Sequence, residues 1–136
     1  MERVAAASEA AHGHSFLLTA RAENFLWAGP DLDDTIRRLQ AFSKAGADVL
    51  YAPGLRSVEE VRAVCEAVAK PVNVLAVPAL TMAELTEAGA QRISVGGSLT
   101  WVALSGMVAA AEAIRDRGDF SALAAPVRLR EWLAPR

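Results

Sequence analysis

Short apolar runs alternate along the chain with longer amphipathic stretches. Residues 2–12 are alanine-rich with charges at Glu2, Arg3 and Glu9, which predicts a helix closed by His12-Gly13-His14. The run Ser15-Phe16-Leu17-Leu18-Thr19-Ala20 has the compact apolar character of a strand buried on both faces, and Arg21 follows it directly. Asp31 or Asp33 can cap a second helix whose face is set out by Ile36, Leu39, Gln40, Phe42 and Ser43 and which Lys44-Ala45-Gly46 stops. Ala47 to Ala52 is again a short apolar strand, and Pro53-Gly54 turns the chain.

The later elements announce their ends more clearly. Ser57 with Glu60 three positions on forms a capping box, followed by Val58, Val61, Val64, Cys65 and Val68 at helical spacing as far as Lys70-Pro71. Val72 to Leu75 is a third strand. Thr81 with Glu84 makes a second capping box for a helix that ends at Ala88-Gly89. Arg92 to Val95 is a fourth strand, Gly96-Gly97 a turn, and Ser98 the expected cap of a long helix reaching Arg117 and stopped by Gly118. A last short helix is expected around Leu129 and Trp132. One helix followed by four β/α units specifies a parallel sheet covered by helices. A small doubly wound sheet is the competing arrangement, but no Gly-x-Gly-x-x-Gly follows the first strand, so its dinucleotide-binding version has no support.

Composition narrows the function classes. With 136 residues, 53% of them hydrophobic, the chain can bury one sizeable core, so a single domain over 1–136 is expected. A net charge of −2 with acidic and basic residues interspersed leaves no basic face for nucleic acid or anionic lipid. The longest apolar stretch, Trp101 to Ala111, is about half of the roughly 20 residues a bilayer crossing needs. The start of the chain lacks the charged-then-apolar pattern of a secretory signal, so a cytoplasmic protein is expected. The single cysteine, Cys65, lies on the apolar face of its helix and reads as a small core residue rather than a nucleophile.

Several segments in order, Leu18 to Leu26 with Asp31 to Leu39, Ala45 to Gly54, Lys70 to Leu75 and Gly89 to Gly97, resemble the isocitrate lyase/phosphoenolpyruvate mutase family from its fifth β/α unit onward. The resemblance implies an α/β fold, the C-terminal half of a (β/α)8 TIM-type barrel, with four parallel strands and their helices. It also implies enzymes that break or form C–C or C–P bonds next to a carboxylate in 2-oxo and related small acids, usually with Mg²⁺. The family's magnesium ligands and acid/base loop come from its first four units, so the resemblance implies that neither is in this chain. Near the second strand, where some relatives carry a His or Glu, this chain has Ala52-Pro53.

Three residues remain as candidates for binding substrate. Arg21, at the C-terminal end of a barrel strand, lies where active sites of this fold are built, and its planar fork suits a carboxylate. The resemblance gives it contact with the substrate's acidic group; an ion pair with Glu23 or Asp48 is the other reading. Glu23 is expected to orient Arg21 or its loop, and Asn73 either points its amide toward substrate or bonds a polar group on a neighbouring strand. Asp31, Asp33 and Asp34 sit at a helix start, where capping explains them. Gly96-Gly97 reads as a tight turn before it reads as a phosphate cradle. His12 and His14, at the opposite end of the first strand, match no zinc spacing.

Four strands of a closed barrel leave two unpaired edges, so self-association or a separate N-terminal half is the expected partner, together with a small carboxylic or 2-oxo acid. The resemblance further implies exchange of the last barrel helix between subunits, and Leu99, Trp101, Val102, Leu104 and Met107 make the long helix apolar enough for it. A non-catalytic, self-associating interaction module is the alternative to an enzyme-family chain inactive by itself.

Overall fold

The computed structural model describes residues 1–27 and 31–124, so the expected helix around Leu129 and Trp132 lies outside the described residues. Residues 1–96 and 97–136 form two compact units.

In the first unit the order is α1 (Glu2–Ala11), β1 (Thr19–Arg21), α2 (Asn24–Trp27), α3 (Leu32–Lys44), β2 (Val49–Tyr51), α4 (Val58–Ala67), β3 (Val72–Leu75), α5 (Met82–Glu87) and β4 (Arg92–Ser94). The four strands are parallel and pair in the order β1-β2-β3-β4. Each strand neighbours the next in sequence, and the order never reverses. A doubly wound sheet requires such a reversal, so this is the winding of a barrel segment.

Alternation along each strand sorts the side chains onto two faces. Ala20, Leu50, Val72, Val74 and Ile93 share one face, where all but the partly buried Ile93 are sealed in the core with Leu39, Val61, Val64 and Leu85 of the covering helices. The opposite face carries Thr19, Arg21, Val49, Tyr51, Asn73, Leu75, Arg92 and Ser94. Its residues are mixed in polarity, and Arg21 and Arg92 are exposed.

The helix starts follow local chemistry. Asp31, not Asp33, caps α3, its carboxylate accepting from the Asp34 N–H at 2.8 Å. Both capping boxes form. Ser57 Oγ accepts from the Glu60 N–H at 3.2 Å while the Glu60 carboxylate accepts from the Ser57 N–H at 3.3 Å, and Thr81 and Glu84 repeat the exchange. Because that bond satisfies one of the orphan donors of the first helical turn, Ser57→Ala should cost about 0.5–2 kcal/mol. A fall in the urea midpoint with unchanged slope would register it; no fall would mean that water serves the α4 terminus equally well.

The expected bounds of the first unit are corrected at several points. The first strand occupies Thr19–Arg21 rather than residues 15–20, and Phe16 and Leu17 are 61% and 72% exposed. Its partner β2 begins only at Val49, opposite Thr19, and the Leu18 N–H bonds to the Asp48 carboxylate at 2.9 Å instead of a strand. The second strand shortens likewise to Val49–Tyr51. Helix α4 ends at Ala67, with Val68 already extended at φ −126°, so the chain leaves the helix well before Pro71 demands it. Lastly, α2 was not expected at all, since four residues give no periodicity to read.

The second unit contains α6 (Ser98–Arg117) and a 3-10 turn at Ser121–Ala124. Ser98 does not cap α6. It is the first helical residue, and the cap is Gly97, whose carbonyl accepts from Thr100 and Trp101 but which has no side chain to contribute. Gly118 stops the helix in the left-handed conformation at φ 63°, as its position predicts, and Arg115 and Arg117 lie in the last turn, where positive charge suits the helix dipole. Leu99, Trp101, Val102 and Met107 are all more than 60% exposed. Among the described residues, no helix is long and apolar enough to cross a membrane.

Candidate anion-binding site

Arg21 closes β1 as its last residue, one position earlier relative to the strand end than the sequence suggests. The ladder continues just past it, because the Ala22 N–H donates to the Tyr51 carbonyl at 2.9 Å. This anchors the backbone on both sides of a long, exposed side chain. The guanidinium sits over the Tyr51 ring, 5.8 Å from its centroid, and its Nη2 pairs with Glu23 Oε1. A cation at this distance over the ring face is attracted by the ring quadrupole. Of the two carboxylates the sequence offers Arg21, the structure uses Glu23, while Asp48 is engaged at the other end of the strand by the Leu18 N–H.

Glu23 is itself held from the far side. Its Oε2 accepts a hydrogen bond from the Trp27 indole N–H at 3.0 Å. The next residue, Asn24, is buried and donates through Nδ2 to Thr35 Oγ1 at 2.9 Å and to Asp34 Oδ2 at 3.1 Å. Arg38, hydrogen-bonded to the same Asp34 oxygen, holds that carboxyl below the usual carboxylate range. Gly54, at φ +105°, lets the β2–α4 turn close on α2: a Cβ there would stand 3.1 Å from both Phe25 and Leu26.

Asn73 shares the sheet face of Arg21, in register with Tyr51 on one side and Arg92 on the other. It is 3% exposed, and its Nδ2 donates to Ser94 Oγ on β4 at 3.1 Å, the neighbouring-strand bond that was one of its two expected roles. Its Oδ1 is buried without a hydrogen-bond partner. Such an orphan costs roughly 1–3 kcal/mol and marks a place where packing alone does not explain the residue.

Tyr51, Trp27 and Ser94 were not singled out from sequence. Tyr51 was detectable in principle, since strict alternation from Arg21 and Asn73 through adjacent parallel strands puts it between them. Trp27 was not, because its part depends on the unforeseen turn α2. Cys65 is half-buried against the core and desolvation pushes its thiol up, away from the thiolate a nucleophile needs. His12 and His14 line a shallow surface depression with Ser8 and Asp48 near the start of β1.

The magnesium that the resemblance implies would need a cluster of oxygen donors. Among the described residues, no group of three or more His, Cys, Asp or Glu side chains comes together. Asp31 caps α3, and Asp34 is shared among Asn24, Arg37 and Arg38. The described residues therefore do not fit a magnesium site.

Known proteins resemble this chain over nearly its whole length. The family model described as phosphoenolpyruvate phosphomutase matches residues 1–115. A crystal structure from Burkholderia cenocepacia J2315, provisionally named a lyase/mutase, superposes with a TM-score of 0.88 at 45% identity, covering 98% of this chain and 52% of that one. An oxaloacetate acetylhydrolase solved with its product oxalate superposes with a TM-score of 0.79 at 27% identity, covering 95% of this chain and 47% of that one. An uncharacterized protein of Mycobacterium tuberculosis strain H37Rv is 38% identical over 89 residues, 65% of this chain and 33% of its own length. The chain thus spans about half the length of these solved relatives, and its match covers a third of the curated one.

Proposed function

The chain belongs to the phosphoenolpyruvate phosphomutase family, and from that premise we propose that it supplies the carboxylate-gripping side of a lyase or mutase site, with Arg21, Glu23 and Asn73 as its substrate-binding residues. The observation that carries the reading is Arg21 at the C-terminal end of a parallel strand, its guanidinium over the Tyr51 ring and meeting Glu23 through Nη2. A guanidinium has five N–H donors, so a ligand carboxylate can still be received by a charge-assisted pair of hydrogen bonds. The ligand is a small carboxylic or 2-oxo acid, in keeping with the oxalate held by the related acetylhydrolase. Asn73 lies two strands from Arg21 on the same sheet face, roughly 10 Å across the sheet, and its amide NH2, which donates to Ser94 Oγ, is the group that would donate to such an acid.

The chain by itself grips the acid without turning it over. Breaking a C–C or C–P bond beside a carboxylate requires a group that moves a proton or stabilises the developing enolate. Around Arg21 the described residues offer Glu23, already paired, and the phenol of Tyr51, with Ala52 and Pro53 just after β2. The groups that complete the site would come from the part of the family's fold that residues 1–136 do not span, or from a second copy. The family match runs from residue 1 into α6, as far as residue 115, which supports a single-domain reading over that stretch. A cytoplasmic setting agrees with a single free thiol.

The test is a pair of measurements on the pure chain. Calorimetric titration with oxalate should show binding, and incubation with oxaloacetate or methylisocitrate in the presence of Mg²⁺ should show no cleavage. Cleavage by the chain alone would overturn the claim of incompleteness, and absence of oxalate binding would overturn the claim of an anion site.

A second reading, a non-catalytic self-associating module, is favoured by one observation, the exposed apolar residues Leu99, Trp101, Val102 and Met107 of α6. It expects association whose strength falls when these residues are made polar and is indifferent to Arg21.

A further inference from the structure

The single turn α2 is anchored at one end and free at the other. Asn24 fixes its start to α3 through Thr35, which is fully buried and passes its own hydroxyl hydrogen to the Asp31 carbonyl at 2.7 Å. Phe25 is buried, and the backbone closes with the Leu26 N–H on the Glu23 carbonyl at 3.0 Å. Trp27, at the far end, is 81% exposed. A tryptophan so placed gains little from burial, and its indole hydrogen bond goes to Glu23, the carboxylate that pairs with Arg21.

That bond matters because of what an unrestrained Glu23 would do. A carboxylate facing a guanidinium prefers the two-pronged arrangement in which both oxygens are bound by parallel N–H groups. Such a pairing would occupy the fork that a ligand carboxylate requires. With Oε2 held by the indole, the pairing with Arg21 runs through Oε1 and Nη2.

We propose that Trp27 is a positioning residue of the anion site, holding Glu23 Oε2 so that Glu23 steadies one edge of Arg21 and leaves the rest of the fork to a ligand carboxylate. The proposal rests on the reading of Arg21 given under the proposed function. Trp27 touches no ligand in this scheme; it acts through Glu23, and removing the indole N–H turns Glu23 from a support into a competitor.

The experiment is a double-mutant cycle read by calorimetry with oxalate. Trp27→Phe keeps an aromatic ring at an exposed position and removes the donor, so oxalate affinity should fall roughly 2- to 10-fold, the range of one hydrogen bond. In a Glu23→Gln background the side chain carries no charge to compete for Arg21, and the same Trp27→Phe change should have no effect. Equal losses in both backgrounds would mean that Trp27 merely supports the fold, and no loss in either would mean that it plays no part; both overturn the proposal. If the unmodified chain binds no oxalate, the anion site itself is wrong and the role of Trp27 falls with it. If it binds oxalate and the cycle shows no coupling, only the role of Trp27 falls.

Discussion

Arg21→Ala should weaken oxalate binding by about one to two orders of magnitude, the loss expected when hydrogen bonds to a charged group worth roughly 1.5–3 kcal/mol are removed. Two effects push the same way. The direct contacts between guanidinium and carboxylate disappear, and Glu23 is left beside the site as a negative charge without its partner. Arg21→Lys should fall between the two, since an ammonium keeps the charge and loses the planar fork that receives a carboxylate with two hydrogen bonds. Because more than half of the Arg21 side chain is exposed, its attraction is screened by salt, and the contrast will be largest at low ionic strength, where the Debye length exceeds about 10 Å. An affinity unchanged in Arg21→Ala would mean that the Arg21–Glu23 pair only holds the loop. If association were also unchanged, the interaction-module reading would take its place.

The extent to which this site was legible in the sequence follows from how far each signal reaches along the chain. Ser57 with Glu60 and Thr81 with Glu84 act over three residues, and both boxes form as their spacing predicts. The parallel order of the strands was legible from the β/α alternation, and Arg21 from its place after an apolar run. Signals that depend on distant partners were not legible. The apolar run 15–20 contains nothing that says where β2 begins, and the side chain that takes the Leu18 N–H is Asp48, thirty residues away. Ser98 satisfies every local rule for a cap, yet α6 starts one residue earlier because the Gly97 carbonyl already accepts the first helical bonds. For Asn73 the sequence offered two roles, and Ser94 on the next strand takes one of its amide groups while leaving the other buried and unpaired.

Two leucines test the corrected position of the first strand. Leu50 lies at the centre of the sheet, between β1 and β3, with its side chain fully buried under the helices, whereas Leu17 is 72% exposed just ahead of β1. Leu50→Ala removes buried methyl groups and leaves a cavity that a rigid parallel sheet cannot close, so it should cost about 2–5 kcal/mol. Against a total stability of roughly 5–15 kcal/mol that is enough to leave part of the population unfolded. Leu17→Ala removes the same atoms from a side chain already in water and should stay within about 0.5 kcal/mol. Urea unfolding at low protein concentration distinguishes the two: a midpoint lowered by roughly 1–3 M for Leu50→Ala, with Leu17→Ala superimposable on the unmodified chain. Comparable losses at both positions would return residues 15–18 to the core and make β1 the longer strand that the apolar run suggests. A Leu17→Ala loss that grows with protein concentration would instead show that a second copy covers this segment, because only the associated state would then bury the missing side chain.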